Sequence, residues 1–273
     1  MQRASTLREV PGAVPPSASA IRIQDLEKIY DTRDGNRIQA LGPLSLDIAE
    51  REFVTIVGPS GCGKSTLLRL LAGLMDRTSG EIRIRDRAIV GPQRDIGMVF
   101  QSPVLLPWKT TLANVLLPAK VLGLDMQASR KRAQELLGLV GLGDFQEKYP
   151  NELSGGMQQR VSIARALLHE PSILLMDEPF GALDAMTRET MNLELRRIWR
   201  ESGKTILFVT HSIPEAVFLG SRVLVLSPRP GRIADLVSVD LPDERDLDTM
   251  ASDRFGQFSR RIRSQFQSHG GLE

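Results

Sequence analysis

Cysteine is nearly absent from this chain: Cys62 is the only one in 273 residues. A single thiol excludes an intramolecular disulfide and a thiolate zinc cluster, and nothing calls for an oxidising compartment. Neither sign of charge dominates. The 35 Lys and Arg against 33 Asp and Glu leave a formal net charge of +2, which argues against an electrostatically driven nucleic-acid binder. No apolar run approaches the ~18 residues of a membrane-spanning helix, and no charged-then-apolar leader opens the chain. The expectation is a soluble cytosolic protein whose membrane contact comes through a partner. A chain of this length fills one large domain or two small ones, and buries about three quarters of its unfolded surface.

What is present is organised around Gly58-Pro59-Ser60-Gly61-Cys62-Gly63-Lys64-Ser65-Thr66. The apolar run 53–57 before it reads as a buried strand, and Leu67 to Leu74 after it reads as a helix. The pattern G-x4-G-K-[ST] thus sits in the strand–loop–helix context its mechanism requires. Gly58, Gly61 and Gly63 let successive backbone N–H groups face inward. With the positive end of the following helix, those donors form an anion site. Lys64 reaches terminal phosphates as a point charge, and the Ser65 hydroxyl suits Mg2+.

Upstream, residues 1–20 carry Pro11, Pro15 and Pro16 and read as a disordered tail. Ile21 to Tyr30 reads as a strand, Asp34-Gly35-Asn36 as a hairpin turn, and the stretch through Leu44, Leu46 and Ile48 as the returning strand. The Tyr30 ring could stack on a purine, and is equally readable as an ordinary half-buried strand tyrosine. Downstream, Ile82 and Ile84 alternate with Arg83 and Arg85 as a half-wet strand. The run Asp95 to Phe100 ends at Gln101, whose amide suits a metal or water contact. Residues 102–127 hold Pro103, Pro107 and Pro118, which break any long helix. Such an irregular apolar stretch marks a partner surface, unless Leu105, Leu106 and Trp108 pack inward. Arg130 to Val140 has an amphipathic helical pattern. Ser154, Gly155 and Gly156 then open another helix, with Ser154 placed as N-cap and two glycines exposing first-turn amides.

The strand 172–177 is apolar until it ends in Asp177-Glu178. Acids at the carboxyl end of a central parallel strand lie where open α/β sheets bind ligands. Asp177 can hold a Mg2+ shell, and Glu178 can polarise a water against a γ-phosphate. A helix is expected from about 187 to 201 and a strand over 205–210. His211 follows that strand, where it could donate to a phosphate oxygen. Further strands are expected over 222–227 and 233–241, with the turn Pro228-Arg229-Pro230-Gly231 between them. Near the end, Phe255, Phe258, Ile262 and Phe266 share one helical face among arginines. Packing on the body is favoured over a membrane surface, because four apolar residues offer little area.

Taken together, these motifs resemble the nucleotide-binding subunit of an ABC transporter. Tyr30 is similar to the adenine-stacking aromatic, 58–66 to Walker A and Gln101 to the Q-loop. Residues 153–160 (LSGGMQQR) resemble the ABC signature, 173–180 Walker B with its catalytic Glu178, 181–188 the D-loop with Asp184, and 210–216 the H-loop with His211. The resemblance implies an α/β P-loop fold with an antiparallel β subdomain and a helical subdomain near 102–165, within an ATP-binding domain over 21–245. A C-terminal amphipathic helix or tail would follow over 246–273. It implies ATP and Mg2+ as ligands, with Ser65, Gln101 and Asp177 at the metal. It also implies a head-to-tail dimer in which Ser154, Gly155, Gly156 and Asp184 complete the ATP site of the partner chain. The chain has one cradle, one signature and no internal repeat, so both halves of two composite sites require a second chain.

Residues 99–110 (VFQSPVLLPWKT) and 223–233 (VLVLSPRPGRI) resemble the importer group serving nitrate, sulfonates, taurine and pyrimidine precursors. That implies a peripheral ATPase on the cytoplasmic face of the membrane. Segment 102–127 would meet a separate permease, an extracytoplasmic solute-binding protein would act indirectly, and no nucleic acid would be involved. Rival readings are an ABC ATPase acting on nucleic acid or the ribosome, an exporter subunit, and a non-hydrolysing regulatory module. The chain lacks the tandem second domain or long coiled coil of the first, and its intact motif set argues against the last. Arg51, where Gly usually precedes Glu52, and Ser212, where Asp usually follows His211, depart from the family pattern.

Overall fold

In a computed structural model, residues 19–268 are described, with side chains through 266. The proline-bearing stretch at the N-terminus lies outside them except at its end, where Ser19 and Ala20 already belong to the first strand. Strands β1 (Ser19–Asp31) and β2 (Arg37–Ala49) form an antiparallel hairpin. Its turn is the expected Asp-Gly-Asn: Gly35 takes φ +79°, and Asn36 Nδ2 donates to Asp34 Oδ2 at 2.8 Å. A side chain at such a φ is strained, which is why glycine stands there. Strands β4 (Ser79–Ile84) and β5 (Arg87–Ala88) complete a sheet of order β2-β1-β4-β5.

The second sheet has the order β10-β9-β3-β8-β7-β6. Its strands are β3 (Phe53–Val57), β6 (Ile96–Val99), β7 (Ile173–Asp177), β8 (Thr205–Val209), β9 (Arg222–Leu226) and β10 (Ile233–Ser238). All pairings are parallel except β10 with β9. Every residue of β3, β7 and β8 is buried. A strand covered on both faces needs no polar alternation, and the two faces feed different cores. Phe53, Leu174, Met176, Ile206 and Phe208 join the core under the larger helices. Val54, Ile56, Leu175, Leu207 and Val209 join the core shared with the first sheet and α1 (Lys64–Leu71). Leu67, Leu68, Leu70 and Leu71 of α1 are all buried. At about 1.5–3 kcal/mol per side chain, they anchor the helix that carries the cradle.

Between β6 and β7 lie α2 (Thr111–Val115), α3 (Leu117–Leu122), α4 (Met126–Leu139) and α5 (Gly155–Leu167). Segment 102–127 is therefore less irregular than its prolines suggest. Pro118 sits in the first turn of α3, where its missing N–H costs nothing. The loop before α2 is held by buried Asn114, whose Oδ1 accepts from Leu106 N at 2.8 Å and whose Nδ2 donates to Lys109 O at 2.9 Å. The two readings of its apolar residues divide: Leu105 packs against the core, whereas Trp108 is 71% exposed.

After β7 come α6 (Ala185–Ser202), α7 (Ile213–Leu219) and α8 (Asp253–Ser268). Helix α7 was not foreseen, being too short to display a period. Ser212 caps it, accepting from Glu215 N at 3.3 Å, the service an Asp would give at that position. Buried Arg245 closes its other end by donating to the carbonyls of Val217, Phe218 and Gly220 at 2.8–2.9 Å. Burial pushes the Arg245 guanidinium down to about 10 and that of Arg196, which donates to Leu219 O, to about 9. Strand β10 stops at Ser238, three residues short of expectation. On α8, Phe255 and Ile262 are buried, while Phe258 and Phe266 pack against the same core. Arg51 has φ +64°, a conformation glycine adopts freely and a larger residue adopts at about 1–2 kcal/mol.

Candidate functional site

The cradle turns where β3 ends. Gly61 and Gly63 have φ +73° and +101°, and a Cβ on Gly63 would lie 2.6 Å from Leu41 Cδ2. The loop can therefore take this path only with glycine there. Among the described residues six helices, α2, α4, α5, α6, α7 and α8, begin with a side chain that accepts from a first-turn amide. Helix α1 begins at Lys64 with no such cap. Its N-terminal donors are left to whatever anion the loop encloses. Lys64 is 5% exposed, and its Nζ donates to Gly58 O at 2.8 Å and Pro59 O at 2.9 Å, which bends the ammonium over the loop.

Opposite the loop is the end of β7. Asp177 is 2% exposed and accepts from Ser65 Oγ at 2.9 Å. Burial pushes its carboxyl up from the ordinary carboxylate range, against the Ser65 hydrogen bond that pulls it down. A buried carboxylate beside a hydroxyl and within reach of phosphates is a donor set for a hard divalent cation. Among the described residues no cluster of three or more His, Cys, Asp or Glu could hold a metal alone. Such an ion would need oxygen ligands from the bound phosphates. Glu178, at φ +48°, turns the chain out of the strand. Its Oε2 accepts from Gln101 Nε2 at 3.0 Å, and its Oε1 lies 2.6 Å from His211 Nε2. Three residues 77 and 33 positions apart meet because β6, β7 and β8 are adjacent parallel strands that end at one edge.

The structure thus brings Tyr30, Ser60, Gly61, Gly63, Lys64, Ser65, Thr66, Gln101, Glu178 and His211 around one cleft of about 500 Å³. The Tyr30 hydroxyl lies 3.2 Å from Thr66 Oγ1, which ties the edge of its ring to the phosphate loop. Gly58, Pro59 and Cys62 do not line the cleft. The first two give their carbonyls to Lys64, and the Cys62 side chain is buried beneath the loop, its thiol pushed up by that burial. Asp177 lies behind the lining residues, joined to them through Ser65.

Ser154, Gly155, Gly156 and Asp184 stand apart from this cleft. Ser154 caps α5, accepting from Met157 N at 3.2 Å, and it and Gly155 are exposed. Asp184 caps α6, accepting from Thr187 N at 3.0 Å, and is exposed as well. The two loops touch each other, since a Cβ on Gly156 would meet Leu183 and the Ala182 carbonyl at 3.2–3.3 Å. Sequence reasoning missed Ile38, Ala40 and Arg229, which also line the cleft. No periodicity marks them. Ile38 sits opposite Tyr30 in the first hairpin, and Arg229 is brought beside Ala40 by Gly231, whose amide donates to Ala40 O at 3.0 Å and whose carbonyl accepts from Gly42 N at 3.0 Å.

Comparison with known proteins agrees with this geometry. Residues 41–181 match the family described as ABC transporter. An ABC transporter ATP-binding protein of Methanocaldococcus jannaschii, MJ0412, is 47% identical over 83% of this chain and 84% of its own. The taurine import ATP-binding protein TauB of Rhizobium johnstonii is 46% identical over 91% of this chain and 97% of its own. Among solved structures, a dimeric post-hydrolysis state of the ATP-binding cassette MJ0796 bound to ADP and Pi superposes with a TM-score of 0.75. It is 37% identical and covers 81% of this chain and 100% of its own. Likeness of this extent, reaching from the cradle through both acidic and histidine turns, shows that the chain belongs to the ABC transporter family as an ATP-binding, ATP-hydrolysing subunit.

Proposed function

We propose that the cleft binds ATP between Tyr30 and the P-loop and cleaves it with Glu178 as base, in service of a solute importer. The observation that carries this reading is the meeting of Lys64, Ser65, Gln101, Glu178 and His211 in one cleft while the signature loop stays on the surface. The P-loop amides and Lys64 hold the phosphates. Gln101 and His211 fix the Glu178 carboxylate by its two oxygens. Glu178 takes a proton from a water as the water oxygen bonds to the γ-phosphorus, and the bond to the β–γ bridging oxygen breaks to release ADP. Ser65, Asp177 and Gln101 would hold Mg2+, which when bound neutralises charge on the transferring phosphoryl group. His211 steadies Glu178 here, and the phosphate contact expected of it is a second use of the same ring.

The exposed Ser154–Gly156 and Asp184 loops are well placed to cover the cleft of a second, identical chain, and a dimeric relative supports this. Nucleotide would then close the pair and cleavage would open it. The likeness to TauB proteins supports import of a small sulfonate-like solute through a separate permease meeting segment 102–127, with a solute-binding protein outside. On this reading the chain would sit peripherally at the cytoplasmic membrane face; among the described residues no helix is long and apolar enough to cross a membrane. The test is reconstitution with its permease and solute-binding protein in vesicles. ATP-dependent uptake of taurine or an alkylsulfonate is expected, abolished by Glu178→Gln. ATP cleavage by the lone chain that scales linearly with protein at every dilution would refute the shared site.

A further inference from the structure

We infer that Arg229 is a second phosphate-binding cation of the ATP cleft, acting across the P-loop from Lys64. This rests on the reading that the cleft holds a triphosphate.

Among the residues lining the cleft, Lys64 and Arg229 are the two permanent cations. Lys64 is committed in part to its own loop, because its Nζ donates to two carbonyls there. Two carboxylates, Asp177 and Glu178, stand on the opposite side. Beside the loop amides and the Mg2+ that Asp177 would help to hold, one shared ammonium leaves room for a second fixed cation facing a triphosphate. Arg229 is exposed to the cleft and makes no hydrogen bond or ion pair among the described residues. Its Nη2 lies 3.8 Å from where a Cβ on Gly61 would be, at the outer lip of the phosphate loop.

The backbone beneath it is fixed. Pro228 and Pro230 flank the residue. Ser227 Oγ donates within the turn to Pro228 O at 3.1 Å and accepts from Arg232 N at 3.1 Å. Gly231 is stitched to β2 on both its amide and its carbonyl, and a Cβ there would sit 2.0 Å from Cys62 O. The turn is therefore bolted to the phosphate loop itself. The other arginine of the turn points elsewhere: the Arg232 guanidinium lies over Gly42. Holding the backbone rigid while the guanidinium is free to swing over Gly61 leaves a planar, two-pronged donor facing the phosphate track. That geometry suits phosphate oxygens better than a lysine would.

The experiment is titration of the full-length protein with a fluorescent ATP, and with ADP and AMP by competition. The proteins are wild type, Arg229→Ala, Arg229→Lys and Lys64→Ala, each checked by thermal melting. Arg229→Ala is expected to raise the Kd for ATP about tenfold, the strength of one charge-assisted contact. ADP should be affected less and AMP within twofold, with Arg229→Lys recovering only part. An ATP Kd for Arg229→Ala within twofold of wild type overturns the inference, even if nucleotide-driven pairing weakens, for the arginine would then serve the partner chain. Equal losses for ATP and AMP overturn it too, since the contact would lie on the nucleoside. If Lys64→Ala also leaves ATP binding unchanged, the reading of the cleft itself fails.

Discussion

Replacing Glu178 by Gln tests the chemistry most directly, because the amide keeps the shape and removes the base. The carboxylate is held by Gln101 Nε2 at 3.0 Å on one oxygen and by His211 Nε2 at 2.6 Å on the other. A glutamine can still accept from Gln101 through its oxygen. Its NH2 then faces His211, whose imidazole can accept by carrying its proton on the other nitrogen. The position is already at φ +48°, a strain that Gln bears no worse than Glu. The folded site should therefore survive, with a melting temperature within about 2 °C of wild type. What is lost is proton abstraction, worth about 10²–10⁴ in rate, or roughly 3–5 kcal/mol at 1.36 kcal/mol per decade. Phosphate release from saturating ATP should fall by that factor, while the ATP Kd stays within about threefold. The nucleotide-bound pair of chains should accumulate on gel filtration, because the bridging γ-phosphate persists. A rate within about threefold of wild type would refute the assignment and move the base elsewhere.

Lys64→Ala should weaken ATP binding by about 2 kcal/mol or more, the scale of a charge-assisted contact; unchanged affinity by calorimetry would reject its role. Mixing Lys64→Ala with Gly155→Glu should restore activity that neither has alone, since a mixed pair contains one site built from two undamaged halves. No recovery, with each variant still dimerising, would count against the shared site. Arg245→Ala strips three buried carbonyls of their donor, so denaturant unfolding should show a loss of about 2–4 kcal/mol; a loss under 0.5 would mean water replaces the guanidinium at no cost. Burial raises the Glu215 carboxyl in the folded state, against pulls from Thr210 and Arg188. Its favourable contribution is then present below the unfolded carboxylate pKa and lost as pH rises through the folded value. Glu215→Gln should accordingly raise the melting temperature at pH 7, with the gain shrinking toward pH 4; a gain that grew on acidification would reverse the sign.

Residue order alone determined a good deal of this protein. The strands expected over 53–57 and 172–177, the helix start at Ser154, and the glycine turns are local matters, whereas the cap at Asp184 placed the next helix two residues earlier than its period suggested. Burial on both faces, an N-cap or a positive φ leaves its mark on a few consecutive residues. The motif spacing from Tyr30 to His211 likewise identified the family, because phosphate chemistry permits few side chains at each strand end. Tertiary structure decided what depends on neighbours distant in the chain. Glu178 is gripped by Gln101 and His211 only because three parallel strands end side by side. Cys62 belongs to the cradle motif yet turns inward, since the core beneath the loop needed filling. Arg229 reaches the cleft through a turn stitched to β2 and the phosphate loop, a closeness that no periodicity encodes. The separation of the signature loop from the cleft was decided there as well, by helices that carry it to the surface, as the proposed pairing of two chains requires.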